Sequence, residues 1–191
     1  MFTITELAEA FHMSRISKSP AIFDMEKLTY FNAEYIKAMT PEAFARVAEP
    51  WIRQGIQNEA IDPALVAAIL QQRTEKLTDI PEKLGFFDEL PEYDTALYVH
   101  KKSKTDEAIS LEMLQLLQPK LAALDWTEEA IHDCLIATAE ELGCKNAKVM
   151  WPLRIAVAGQ AVTPGGAVEI CHILGKEETL RRMAIGMEKL R

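Results

Sequence analysis

Twice in this chain proline stands directly behind a helix-capping side chain, at Thr40-Pro41-Glu42 and at Asp62-Pro63. A Thr or Asp side chain accepts from the free N–H groups of a first helical turn, and a proline at the next position has no N–H to leave unpaired. Glu42 adds negative charge where the helix dipole favours it. Both pairs therefore start helices. Behind Pro63, residues Ala64, Leu65, Ala68 and Ile69 share one helical face and form the expected core side. Ile80-Pro81 opens a further short helix, and Pro91 begins the next connection.

From Asp106 the helical period strengthens. Ala108, Leu111, Leu114, Leu117, Leu121 and Leu124 recur at steps of three and four, with Pro119 expected to kink or split the helix. Asp125 with Glu128 reads as a capping box for a helix that buries Ile131, Cys134, Leu135, Thr138 and Leu142 and ends at Gly143. Pro152, Thr163-Pro164 and Gly175 bound the last short helices. Residues 155–162 carry enough β-branched side chains to suggest a strand, but their alanines and the upstream proline favour helix. With no alternating strand pattern, the fold class is all-α. The lysine-rich stretch 100–105 is the natural internal boundary. It divides a connector tail (1–25) and a first helical subdomain (26–102) from a second one (103–191).

The chain has 191 residues, 49% hydrophobic and 26% charged, which suits a soluble globular protein with a sizeable core. No apolar run is long enough to span a bilayer, and residues 1–10 carry two Glu and no Lys or Arg, unlike a signal or transit peptide. Cys134, Cys144 and Cys171 form no C-x-x-C pair, which points to a reduced, cytoplasmic protein without a zinc site. The net charge of −8 speaks against a cationic coat over DNA or a membrane, but leaves room for a site that reads a few exposed bases. Lys101, Lys102 and Lys104 form one basic cluster, taken alone as a solvated charge run; Lys145, Lys148 and Arg154 form another. His12, His100, His132 and His172 lack metal spacing, and Cys171-His172 point about 100° apart on a helix, so they make no simple dyad.

Residues 15–36 read RISKSPAIFDMEKLTYFNAEYI. Ser17, Lys18, Ser19, Ala21, Phe23, Asp24, Lys27, Leu28, Tyr30, Asn32, Tyr35 and Ile36 fall on a run that resembles the segment after the catalytic domain of bacterial glutamyl-tRNA synthetases. Ser17-Lys18-Ser19 only superficially resembles the ATP-binding K-M-S-K-S loop of class I synthetases, and the chain has no H-x-G-H signature. Two further stretches are similar to the same family: Gln72-Arg73 followed by residues 74–82, and Trp151-Pro152-Leu153-Arg154 with Gly159 and Thr163-Pro164-Gly165. The run Glu169-Ile170-Cys171-His172-Ile173-Leu174-Gly175-Lys176-Glu177 matches the family's ending. The resemblance implies the helical anticodon-binding region of a class I synthetase, whose catalytic domain belongs to the same parent chain. It implies that Gln72, Arg73, Arg154, Thr163 and Pro164 meet the anticodon loop of tRNA-Glu, and that Lys18 and Lys27 touch its stem. ATP, glutamate and Mg²⁺ would belong to the parent's catalytic half, with no cofactor and no catalytic residue here, so this chain alone is not expected to aminoacylate.

Arginine suits that task. Its guanidinium offers only donors, which match O2 and N3 of cytosine and oppose the N1–H and N2–H donors of guanine. The third anticodon base is C in tRNA-Glu and G in tRNA-Gln, so Arg73 would reject tRNA-Gln. Glutamine at that position resembles the non-discriminating type, and Gln72 stands next to Arg73, so both readings stay open. Other roles for the two arginines are a helix C-terminal cap for Arg73 and an ion pair of Arg154 with Glu169 or Glu177, Arg154 being expected in a first turn where the dipole disfavours it. The alternatives for the whole chain are the anticodon-binding region of a related class I enzyme, such as a lysyl one, and a helical protein-interaction scaffold.

Overall fold

The computed structural model describes residues 2–16 and 22–191. The expectation placed on Lys18 therefore lies outside the described residues. Helix α1 (Ile4–Ala10) is closed by a Thr3–Glu6 capping box and is exposed throughout. Helices α2 (Met25–Ala38), α3 (Pro41–Gly55) and α4 (Pro63–Leu70) start at Asp24, Thr40 and Asp62, whose side chains accept from Lys27, Ala43 and Ala64 N–H. Short 3₁₀ turns follow at Gln71–Arg73, Leu77–Asp79, Pro81–Lys83, Gly85–Phe87 and Thr95–Tyr98. Five longer helices complete the chain: α5 (Glu107–Ala122), α6 (Glu128–Glu141), α7 (Asn146–Ala158), α8 (Ala167–Leu174) and α9 (Lys176–Lys189). Among the described residues the one extended pairing is an isolated bridge between His100 and Thr105. The all-α expectation holds.

The buried apolar side chains form one continuous cluster, from Ile36 through Phe44, Phe87 and Leu114 to Met187. Arg182 lies inside it with no exposed surface. Its Nη1 donates to the carbonyls of Phe86 (2.6 Å) and Val157 (2.7 Å), tying the 3₁₀ region to α7 from a position on α9. Gln71 is buried at the opposite edge. Its Nε2 donates to Ile36 O (3.2 Å), beside the Met39 N–H that already meets that carbonyl, and to the C-cap carbonyl Met39 O (2.9 Å).

Several local expectations are corrected. In α4 the core takes Val66, Ala67 and Leu70, while Ala64 and Ala68 are exposed and Leu65 and Ile69 only half-buried. Helix α5 runs through Pro119, an exposed residue of its last turn, without a break, and Leu117 and Leu121 on either side of it are fully buried. Thr127, not Asp125, caps α6 by accepting from Ala130 N–H, and Leu142 is exposed beyond its end. Pro152 lies inside α7 rather than at its boundary. An interior proline costs about 3 kcal/mol, against about 1.5–3 kcal/mol gained for each fully buried aliphatic side chain, and Val149, Leu153, Ile155 and Val157 are all fully buried around it. The helix stops at Ala158, where Gly159 takes a left-handed φ of 63°.

Candidate nucleic-acid interface

The loop between α7 and α8 gathers most of the candidate residues. Gly159 opens it, and an added Cβ there would lie 2.9 Å from Pro91 Cγ, so a side chain is excluded by space as well as by φ. Arg73 reaches the loop from the 3₁₀ turn after α4, donating through Nη1 to Thr163 O at 2.9 Å. Arg154 reaches it from α7, donating through Nη2 to Ala161 O at 3.1 Å. Thr163 is buried, and its hydroxyl donates to Gly165 O at 2.7 Å, fixing the turn at Pro164. Thus Arg73, Arg154, Thr163 and Pro164, up to 91 positions apart, converge on one short loop, with Gln72 beside Arg73 on the wall of the same cleft.

Arg154 is not in a first turn; it stands in the second half of α7, because the helix begins at Asn146 rather than at Pro152. It makes no ion pair with Glu169 or Glu177. Burial lowers its pKa, and the nearby positive charge of Arg73 pushes in the same direction. Its Nε–H is buried with no partner. Among the described residues neither of these two nearby cations is bonded to a carboxylate, which leaves spare donors for a ligand carrying acceptors.

Several hollows border this loop, and three of them hold the candidate residues. The first, about 330 Å³, is lined by Arg73, Glu128, Glu169 and His172, with Leu65 and Ile69 supplying an apolar wall. It holds donors and acceptors together, and His172 Nδ1 is buried there without a partner. The second, about 360 Å³, also includes Arg73 and is rimmed by Val162, which is 86% exposed at the loop tip. The third, about 400 Å³, is lined by Ser103, Trp151 and Arg154. There the Arg154 guanidinium lies over the Trp151 ring, 4.6 Å from its centre, and Trp151 is stacked on His100 at 3.8 Å with the planes 8° apart. Trp151 Nε1 donates to Leu97 O at 3.0 Å, which fixes the ring.

Lys27 lies elsewhere, in the first turn of α2 with its ammonium 5.9 Å from the Phe31 ring centre. Cys171 is fully buried and its thiol is pushed up to about 12 by burial, which fits its assignment to the core. The stack of His100 on Trp151 and the presence of Arg73, Glu128 and Glu169 around one hollow were not read from the sequence. These arrangements join positions 51 to 96 residues apart, and no local pattern marks them.

Comparison with known proteins bears on the fold and the family. The family described as anticodon binding domain matches residues 25–187. The glutamate–tRNA ligase of Clostridium tetani (strain Massachusetts / E88) is 47% identical over 192 residues, covering 100% of this chain and 39% of the relative. That of Clostridium botulinum (strain Hall) is 44% identical with the same coverage. The chain thus spans 39% of the length of these relatives. Among solved structures, a glutamate tRNA ligase from Elizabethkingia meningosepticum in complex with its amino acid superposes with a TM-score of 0.81 at 26% identity, over 100% of this chain and 37% of that one. The glutamate-tRNA synthetase from Elizabethkingia anophelis gives 0.77 at 25% identity, over 98% and 36%. With 25–187 matched out of 191 residues, the chain belongs to the anticodon-binding domain family.

Proposed function

We propose that this chain reads the anticodon of tRNA-Glu as the anticodon-binding part of a cytoplasmic glutamate–tRNA ligase. The observation that carries this reading is the convergence of Arg73 and Arg154 on the 161–163 carbonyls, each with donors to spare beside a hollow large enough for a base. Anticodon bases are single-stranded and can be unstacked and read on their Watson–Crick edges. In the cleft shared by Arg73, Glu128 and Glu169, cytosine has every edge group matched: O2 and N3 take guanidinium donors, and N4–H₂ donates to a carboxylate. Guanine would turn its N1–H and N2–H toward the guanidinium. Uracil would turn N3–H toward the arginine and O4 toward a carboxylate. Mispaired buried polar groups discriminate strongly, so both are rejected. Thr163 and Pro164 shape the loop between the hollows, and Gln72 lines the same cleft as Arg73.

In this reading the longer protein charges tRNA-Glu with glutamate using ATP and Mg²⁺, and no residue of this chain is assigned to those reactants. Its catalytic domain packs on the exposed apolar surface of the N-terminal segment, where Phe2, Leu7, Phe11, Phe23, Met25 and Leu28 stand open. Lys27, exposed on α2, touches the tRNA stem together with Lys18.

The test is titration of anticodon stem-loops carrying C or G at the third anticodon position. The wild-type chain is expected to prefer C, and Arg73→Gln to lose that preference, with a change of roughly tenfold or more for a mispaired edge. Equal binding of both by the wild type overturns the discriminating assignment of Arg73. Binding of neither, by this chain or by a full-length ligase carrying it, overturns anticodon reading itself.

A further inference from the structure

Lys101, Lys102 and Lys104 do not sit on a slack surface loop. They project from a tight turn whose ends, His100 and Thr105, exchange two backbone hydrogen bonds of 3.0 and 3.2 Å. Ser103 is buried inside the turn with its hydroxyl 2.8 Å from His100 Nδ1, and Thr105 Oγ1 donates to Tyr98 O at 2.8 Å. Lys104 holds a φ of +56°, a conformation that costs an L-residue about 1–2 kcal/mol, so the turn is kept by these bonds and not by local preference. All three lysines are exposed and none forms an ion pair among the described residues, in a chain with 29 acidic side chains.

The turn is also fastened to the candidate reading surface. Its first residue, His100, is the one stacked on Trp151, and Ser103 lines the same hollow as Trp151 and Arg154. Lys148, Trp151 and Arg154 follow one another at three-residue steps along α7, so each neighbours the next on the helix surface. Lys148, half-buried, likewise makes no ion pair among the described residues. Lysines of the turn and of α7 are thus chain or helix-surface neighbours of Ser103, Trp151 and Arg154, whose hollow has a floor of guanidinium and aromatic planes. Nucleotides present that combination, with phosphates for point charges and bases for flat surfaces. An acidic protein segment would use the lysines and leave the stacked floor without a role.

We infer that the 101–104 turn, with Lys148, is a phosphodiester track: the sugar-phosphate backbone of the strand whose bases are read at Arg154 and Arg73 crosses it. The inference rests on the anticodon-reading proposal and adds where the backbone lies. Ammonium contacts to phosphate hold position without reading sequence.

The experiment measures stem-loop affinity over a salt series for the wild type, for a Lys101→Gln/Lys102→Gln/Lys104→Gln variant and for the matching triple Arg variant. The lysines are exposed, so each variant should fold, which circular dichroism verifies. The Gln variant is expected to lose affinity by the same factor for C- and G-ending stem-loops, keeping their ratio. The slope of log affinity against log salt should shrink by about 2 to 3, at about 0.7–0.9 per phosphate contact. The Arg variant should keep the wild-type slope. If the wild type shows its C preference but the Gln variant leaves the slope unmoved, the track is wrong and anticodon reading stands. If the wild type binds no stem-loop, both fall. If the Gln variant loses only a poly-glutamate peptide and not RNA, the surface serves an acidic protein and the inference falls.

Discussion

Glu178 is gripped by two neighbouring arginines of different character. Arg181, exposed, donates through Nε and Nη2 at 2.7 Å each; Arg182, fully buried, donates through Nε at 2.5 Å. The Arg181 hydrogen bonds, reinforced by Arg182, hold the Glu178 carboxyl at about 2, down from 4.5. A carboxyl with a depressed folded-state pKa contributes stability that is fully present above its unfolded value and lost as pH falls through the folded one. Glu178→Gln should therefore be less stable than wild type at neutral pH, and the gap should close between pH 4.5 and about 2. Urea unfolding at a series of pH values measures it, and a gap that does not change with pH would refute the assignment. Sequence does not separate these two arginines. Both read as polar positions of one helix, and what buries Arg182 is a set of carbonyls on Phe86, Phe87 and Val157 that no residue type announces. Arg73 and Arg154 were singled out as candidates by motif resemblance, not by periodicity.

Among the elements, the α7–α8 loop depends on how α7 ends. Gly159→Ala would place a methyl against Pro91 and Tyr93 while forcing a left-handed φ on an L-residue. The φ alone costs about 1–2 kcal/mol. The thermal midpoint should fall, and stem-loop affinity should fall with it, because Arg73 and Arg154 both hang on carbonyls of this loop. A variant with a lower midpoint but unchanged affinity would show that the loop is not part of the reading surface. Helix ends and caps were largely readable: Thr40, Asp62 and Gly143 act as their residue types predict. Faces were less so. PALVAAIL, the whole of α4, is apolar all round, so its period cannot choose between Leu65-Ile69 and Val66-Leu70. The core took the second pair, and the first became the wall of the cleft below Arg73. In α7 an interior proline imitated a start signal, which displaced Arg154 in the sequence reading by the six residues between Asn146 and Pro152, under two helical turns.

Across the whole molecule, we propose that residues 26–102 and 103–191 are the two helical units, joined through one apolar core and through the guanidinium of Arg182. So joined, they should unfold in a single transition. Arg182→Met strips donors from three carbonyls and leaves Glu178 to Arg181 alone; each buried acceptor left without a donor costs about 1–3 kcal/mol. The variant should unfold earlier and in two steps, as followed by calorimetry. A single sharp transition at a lower temperature would mean that the apolar core alone unites the halves. The fold class and the family were legible from one chain; the pairing of the halves was not, because its contacts run between residues about 95 positions apart.

Gln71 has a mechanical consequence. Its amide holds the last carbonyls of α2, and two residues later the same turn presents Arg73. A helix of 14 residues is about 21 Å long and nearly incompressible along its axis. Whatever grips the open apolar side of α2 near Phe23, Met25 and Leu28 holds one end of a push-rod whose other end is bolted beside the candidate reading arginine. Sliding that rod must either snap the two Gln71 hydrogen bonds or carry Arg73 along with it.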